Sequence, residues 1–451
     1  MELSKKIAIV ILALFLALQF ALIFVRYFDH DEFEHVHSAW YISKGYRPYT
    51  DFFQHHTPLL WYTLLPLISL FGESISVLFA ARLLMLLLAV GSLVLLAVIS
   101  KRYVHNYLLA PALLATTIFF QEKIYEIRPD VPLLFLNLAA LYLLLKHLDS
   151  GRKNLVILSG VLLGISALFS QKAIFYALSY VVLILFGNKS NILKRIMSCG
   201  IVVVSSALSF LAVTLIFFKY SLRDFFTFTI TLNSYLPYEL YLSSFLISLL
   251  VQNTGFTFGV VRAFLAVREK REITVLVVTQ VCLALLLGFR FRQDYLHLLP
   301  IFSIISAIGF EPVINTKLSG LKAVLLILFV IAIPLAFQAR YFLNDNSEQI
   351  EAVKTVLDGS DSGDFVYDGN AHVNLYRKDT EFFWYSRNLK DIYRQKINTR
   401  LYENTEEKIR EKRATFITDF NINITHFPNY APEEHAPSDS IKLYKLQRLG
   451  N

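Results

Sequence analysis

Residues 26–57 read RYFDHDEFEHVHSAWYISKGYRPYTDFFQHHT. Five carboxylates (Asp29, Asp31, Glu32, Glu34, Asp51) and five histidines (His30, His35, His37, His55, His56) are interleaved there with aromatic rings. Ahead of them lies Ile7–Val25, an uncharged apolar run behind Lys5 and Lys6, and several hundred mostly apolar residues follow. Groups that can carry protons, gathered where a hydrophobic helix ends, mark a membrane boundary at which chemistry is expected.

The rest of the chain supports that boundary. Of 451 residues 55% are hydrophobic and 17% charged, and the mean hydropathy of +0.51 exceeds that of a soluble globule. Ile7–Val25 is long for the apolar part of a signal peptide and lacks a small-x-small cleavage site, so it is read as a retained transmembrane helix. Cys199 and Cys282 both fall inside apolar runs, which argues against disulfides and against a cysteine metal site.

A spanning helix needs about 20 apolar residues. That yardstick gives spans near 7–25, 76–99, 106–121, 130–148, 154–170, 173–187, 196–218, 243–266, 273–289, 296–311 and 321–339. Thr57–Phe71 is shorter and holds two prolines. If it does not cross, alternate loops carry Lys5/Lys6, Lys101/Arg102, Lys146/Arg152/Lys153, Lys189/Lys194/Arg195, Arg268/Lys270/Arg271 and Lys317/Lys322, a strong positive-inside pattern. The expectation is therefore a mainly α, polytopic membrane protein of about eleven transmembrane helices, with a cytoplasmic amino terminus and the acidic loop outside. Residues 57–72 would form a re-entrant or juxtamembrane piece at the outer interface.

After Ala339 the composition turns polar, with strand-like runs at Asp364–Asp368 and Thr415–Asp419 and an amphipathic stretch at Glu348–Leu357. Residues 1–340 are thus read as a transmembrane domain and 341–451 as a small α/β domain, which an odd number of spans places outside.

Within the acidic loop, Asp31, Glu34 and His35 share one helical face at i, i+3 and i+4. Close carboxylates and partial desolvation raise one pKa toward the range of a general base. The plain alternative is a solvated polar loop. A second acidic segment, QEKIYEIRPD (121–130), brings Glu126, Arg128 and Asp130 to the same side, where Asp130 could equally be a helix cap. A third, FRFRQDYLHLLP (289–300), presents Arg290, Arg292 and His297 at headgroup depth. Guanidinium groups there suit a phosphate or serve as anchors on ordinary lipid.

These motifs in this order carry a resemblance. The chain has Asp31-Glu32 in the first outer loop, G-x-x-x-Y-x-D at 45–51 ahead of H-x-P-L at 56–59, and Arg82-Leu83 at a helix start. Arg128-Pro129-Asp130 and R-x-x-Y-x-x-x-L-P at 292–300 follow. Together they resemble the C-type glycosyltransferase superfamily, near the protein O-mannosyltransferase-like and aminoarabinose-transferase-like bacterial members, over roughly residues 5 to 340. The resemblance implies transfer of a sugar from a polyprenyl-phosphate donor to a lipid, envelope glycan or protein acceptor, outside the cytoplasmic membrane. It implies Asp31 as base with Glu32 beside it and Asp130 in support; Arg292, Tyr295 and Arg128 near the donor phosphate; and His35, Tyr49, Asp51 and His56 on substrate. Thr57 stands where protein-mannosylating members often have a second proline, which counts against a protein acceptor.

No nucleic-acid partner is expected. Histidines beside carboxylates also admit a divalent metal, with Asp31, Glu34 and His35 as candidates, although HDEFEHVH is not HExxH and no ion is specified. The rival class is a transporter, flippase or channel; against it, charges gather in outer loops and no inverted repeat is visible. A polymerase or ligase of lipid-linked sugars is the third class. Such enzymes usually lack the early acidic loop and bear a large late one, whereas 219–242 is of moderate length.

Overall fold

The computed structural model describes residues 2–187, 190–217, 221–236, 242–263, 266–287, 291–315, 320–399, 404–435 and 441–447. The first half is a run of ten helices: α1 (Glu2–Val25), α2 (His30–Ser43), α3 (Leu59–Phe71), α4 (Ser76–Ser100), α5 (Leu109–Thr116), α6 (Ile118–Lys123), α7 (Asp130–Ser150), α8 (Lys153–Ala167), α9 (Ala173–Gly187) and α10 (Ile192–Phe217). Among the described residues five helices are long and apolar enough to cross a membrane: Lys5–Val25, Ser76–Ser100, Asp130–Ser150, Ile192–Ile216 and Val324–Phe342. Ser243–Gln252 and Thr254–Arg262 would make a sixth, bent by 98° at its break. Others of the eleven expected spans are short apolar helices, among them α8, α9 and Leu299–Ile314.

The breaks have a common cause. Thr117 adopts extended backbone between α5 and α6, which strips the next amide, Ile118 N, of its helical partner. Asn253 Oδ1 accepts that amide at 2.9 Å, while Asn253 Nδ2 donates to Ser248 O at the other break. One buried side chain therefore satisfies the backbone of two interrupted helices, the condition under which non-helical backbone is tolerated at membrane depth. Elsewhere helices approach closely through small residues. A Cβ on Gly160 or Gly164 of α8 would lie 1.9 or 2.0 Å from a serine hydroxyl of α10, the small-residue packing that lets apolar helices associate. The outward face of α10 exposes Val203, Val204, Leu208 and Leu215, a surface suited to lipid tails.

The acidic loop of the sequence is mostly a helix. Asp29 caps α2 by accepting Asp31 N, and Glu32 closes the capping box on Asp29 N. α3, at 13 residues, is too short to cross; it lays Leu60, Trp61, Leu64 and Ile68 inward and packs on α2.

Beyond Tyr341 come a helix at Ser347–Asp358 and a five-stranded sheet ordered β2-β1-β3-β5-β4. Its strands are β1 (Phe365–Tyr367), β2 (Lys378–Asp379), β3 (Phe416–Thr418), β4 (Tyr430–Pro432) and β5 (Leu443–Leu446). β1 is parallel to β2 and β3, whereas β5 is antiparallel to β3 and β4. Val366, Phe416 and Leu443 pack with Ala352 and Val356 of the helix. On another side Tyr367 and Ile417 pack with Ile409 of Thr405–Lys412. This segment rests on α2: His37 Nε2 lies 2.7 Å from Asp379 Oδ2 and its Nδ1 3.0 Å from Leu375 O, while Tyr41 OH donates to the same carboxylate.

Candidate active site

Arg82 of α4 fixes the base of the site. Its guanidinium grips Glu32 through both oxygens, at 2.7 and 2.8 Å, and donates to the carbonyls of Ile23, Arg26 and Tyr27 at the end of α1. Glu32 also accepts Asp29 N and Ile127 N. Both side chains are fully buried, so Glu32, expected in catalysis, is committed instead to holding α1, α2 and α4 together; a bidentate pair in a dry site has no acceptor to spare.

The neighbour of Glu32 in the chain, Asp31, remains 18% exposed. Arg128 joins it to the second acidic segment, bonding Asp31, Asp29 (2.8 Å) and Glu126 (2.6 Å), and His30 Nε2 lies 2.9 Å from the Asp31 carboxylate. Burial alone would raise the Asp31 carboxyl, but the Arg128 charge and the His30 hydrogen bond hold it well below the usual carboxylate range. His30 in turn is drawn up to about 9, its desolvation outweighed by Asp31 and Asp29. Glu126 overcomes its own burial through Lys123, Arg128 and Arg26 and falls to about 2.

Asp130, at the first turn of α7, faces the same electrostatic centre and adds its charge to those acting on Arg128. It binds Lys172 Nζ at 2.8 Å and His297 Nε2 at 3.1 Å, and Lys172 also reaches Asp294 at 2.6 Å. His297 Nδ1 meets Tyr176 OH at 2.9 Å. Desolvation opposes the Lys172 charge, yet Asp130 and Asp294 raise its pKa and fix it as a cation. Sequence reasoning passed Lys172 over. Its signal was a lone lysine on the side of the chain that the loop charges otherwise leave poor in lysine.

The imidazoles form the other wall. Ligating atoms of Glu34, His35 and His56 all lie within 4.8 Å of one another, and the His55 and His56 rings are 4.1 Å apart. Among the described residues no lysine or arginine pairs with Glu34; Gln54 Nε2 donates to it at 3.0 Å, His56 Nε2 lies 3.8 Å away, and Tyr385 OH donates to Gln54 Oε1 at 3.1 Å. Burial, with the Asp31 charge, pushes the Glu34 carboxyl up to about 8. Burial also lowers His35, to about 3 despite Asp31, and lowers His55 and His56. Gln54, Tyr385 and Asn233 are further residues that spacing did not reveal. Asn233 Nδ2 donates to His55 O, which turns its Oδ1 toward His55 Nδ1 at 3.1 Å.

A metal does not fit this cluster as placed. Trp61 Nε1, which can only donate, points at His35 Nδ1 at 3.1 Å. Neutral His35 then carries its proton on Nε2, a buried atom with no partner, where a ligand would need a lone pair. Asp31 falls in a different group, with Asp29 and His30, so the expected set of Asp31, Glu34 and His35 does not converge on one ion.

The other expected residues divide. Tyr49, at φ 68°, donates its hydroxyl to His56 O at 2.6 Å and so shapes the histidine turn. Asp51 pairs with exposed Arg47 and closes a surface turn, away from the cluster. The Tyr295 ring is buried and stacks on Phe245 at 4.3 Å, which removes its face from a ligand. Arg290 and the side chain of Arg292 lie outside the described residues.

The fold has counterparts among solved structures, and part of the sequence matches a known family. A family model described as dolichyl-phosphate-mannose-protein mannosyltransferase matches residues 55–217. ArnT from Cupriavidus metallidurans in the apo state is similar with a TM-score of 0.66 at 11% identity, covering 98% of each chain. The same protein bound to undecaprenyl phosphate gives 0.64 at 11% identity and 97% of each chain. An Archaeoglobus fulgidus oligosaccharyltransferase in complex with Zn and sulfate gives 0.56 at 9% identity, over 90% of this chain and 67% of that one. No curated protein matches the chain in sequence. Residues 55–217 thus resemble that mannosyltransferase family, and the chain as a whole shares the fold of ArnT. The segment matched by the family model runs from His55 past Arg82, Arg128 and Asp130 to beyond Lys172, and so contains the cations of the site.

Proposed function

We propose that the chain transfers a sugar from a polyprenyl-phosphate donor to a hydroxyl or amine acceptor at the outer face of the cell membrane, with Asp31 as the acceptor's base. The observation that carries this reading is the pairing, at one boundary, of a partly exposed ionised carboxylate with two cations, the buried Arg128 and the partly exposed Lys172. A polyprenyl phosphate is already a good leaving group. The reaction therefore needs a base at the nucleophile and positive charge at the departing oxygens. Lys172 spends two of its three N–H donors on Asp130 and Asp294, which leaves one for a phosphate oxygen. Arg128 contacts Asp31 and feels the charge of Asp130, the partner of Lys172. In a single displacement the acceptor attacks the anomeric carbon, the bond to phosphate oxygen breaks, and the proton passes to Asp31 with inversion at carbon.

Glu34, neutral at pH 7, and His35, donating from Nε2, would hold sugar hydroxyls rather than take the proton. Asp130 and Asp294 keep Lys172 charged and aimed. The eleven-span topology, the interfacial seat of α3 and an outer α/β domain after residue 341 belong to the same reading. A transporter is not favoured, since the family model matched over residues 55–217 describes a mannosyltransferase and a similar fold is that of an oligosaccharyltransferase.

The test is transfer itself. Protein in detergent with labelled polyprenyl-phosphate sugars and envelope extract should yield labelled acceptor, and Asp31→Asn should cut turnover by about 100-fold or more, the scale of losing a general base, while donor binding holds. Normal turnover in Asp31→Asn would remove Asp31 from the role, and absence of transfer from every donor would remove the function.

A further inference from the structure

A cavity of about 320 Å³ opens in the segment that follows the helices, between the strand ending at Tyr367 and the helices Arg387–Lys396 and Thr405–Lys412. Its volume falls at the small end of ligand sites. We propose that it binds a neutral sugar unit of the acceptor, so that a glycan or glycolipid is held here while its reacting group lies at Asp31. This rests on the transferase reading.

Three observations support it. First, the lining is charged yet balanced within itself. Lys390 pairs with Glu381 at 2.5 Å, Glu406 lies 2.8 Å from His426 Nδ1, and Arg394 lies 4.0 Å from Asp391. A wall that neutralises its own charges selects no ion. It does offer amides and guanidinium groups at Asn404, Asn421 and Arg387, beside the aromatic rings of Phe383 and Tyr367. Polar groups that donate and accept in several directions, set against aromatic faces, suit a polyhydroxylated ring with apolar C–H faces.

Second, the backbone around the cavity is held in the left-handed region at Gly369 (φ 75°), Ser386 (φ 57°) and Asn421 (φ 61°). Gly369 and Asn421 line the space, and Ser386 joins the lining residues Tyr385 and Arg387. For non-glycine residues such conformations cost energy, and they persist where a site requires them. Third, the cavity and the catalytic centre share a wall. Tyr385 lines the cavity, is itself buried, and donates to Gln54, which donates to Glu34. One tyrosine therefore separates a sugar in the cavity from the carboxylates of α2, the spacing expected when an acceptor of more than one unit reaches across.

Saturation-transfer NMR on the full chain in detergent tests this directly, with maltose, lactose, cellobiose and diacetylchitobiose as probes and glucuronic acid as the charged control. Arg387→Ala and Arg394→Ala are suitable variants because both side chains are exposed. At least one neutral disaccharide should bind the wild type, and both variants should weaken it about tenfold. In transfer to an acceptor ending in that disaccharide, KM should rise to match while kcat and donor affinity hold. No neutral sugar bound by a wild type that does transfer, variants that bind as wild type, or preference for glucuronic acid would each overturn the cavity assignment alone. Sugar binding by a wild type that transfers from no polyprenyl-phosphate donor would overturn the transferase reading and the acceptor role with it.

Discussion

At the scale of single residues, the site separates carboxylates by what stands next to them. Asp31, Glu32 and Glu34 lie on one helix within four positions, and Arg128, Arg82 and Gln54 respectively decide their fates. Sequence spacing showed that Asp31, Glu34 and His35 share a face, because that follows from helical geometry. It could not show that Glu32 is consumed by Arg82, fifty residues on, nor that Lys172 meets Asp130, since those pairings exist only once helices pack. Lys172 should bind the donor. Losing a charge-assisted hydrogen bond costs about 1.5–3 kcal/mol, so Lys172→Met should weaken polyprenyl-phosphate binding by tenfold or more, with Lys172→Arg recovering part. Unchanged donor affinity in Lys172→Met would confine that lysine to holding Asp130 and Asp294. Glu34 gives a pH signature of opposite sign to an ordinary salt-bridged acid. Burial keeps its proton in the folded chain up to about pH 8, against 4.5 for a free glutamate. The unfolded chain thus releases a proton first, and stability from this group is complete below 4.5 and declines as pH rises to 8. Melting curves across that window should flatten in Glu34→Gln relative to wild type; an equal slope in both would show that Glu34 does not titrate there.

Helices and strands were legible to different degrees, for a physical reason. Long apolar runs such as Ser76–Ser100 and Ile192–Ile216 were evident because every residue of a lipid-exposed span must be apolar. The break at Thr117 was not, because the freed amide of Ile118 is satisfied by Asn253, a residue 135 positions away whose role composition cannot announce. The strands at Phe365–Tyr367 and Phe416–Thr418 fell inside the two apolar runs expected of them, while the two-residue β2 at Lys378–Asp379 carries no pattern to find. Asn253 offers the sharpest test at this scale. Asn253→Leu strands Ile118 N in a buried place, at about 1–3 kcal/mol for an unsatisfied group, whereas Ser248 O keeps the backbone amide of residue 253. The variant should melt below wild type and lose protection from proteolysis around the break at Thr117. A variant as stable as wild type would mean that water, rather than this side chain, satisfies Ile118 N.

The whole molecule is oriented by the contacts between its two ends. Val25 O accepts Asn346 N at 3.0 Å, and Phe28 exchanges two hydrogen bonds with Gln349. The carboxyl-terminal end of the first long apolar helix therefore meets that of the last one, Val324–Phe342, so the two run in the same direction. It follows that the polar segment after residue 341 shares a face with Asp31, Arg128 and Lys172, and that the loop carrying Lys146, Arg152 and Lys153 lies on the other face. In the proposed topology, the excess of lysine and arginine in that second set of loops puts it on the cytoplasmic side. Cysteine labelling in intact cells checks both statements in a background where Cys199 and Cys282 are replaced by serine. Lys354→Cys, on the exposed side of the helix Ser347–Asp358, should react with a membrane-impermeant maleimide, whereas Lys153→Cys should react only after the membrane is opened. Labelling of Lys153→Cys in sealed cells, with Lys354→Cys protected, would invert the molecule. A polyprenyl-phosphate sugar would then have to be used on the cytoplasmic side, and the outer-face transferase reading would fall with the topology.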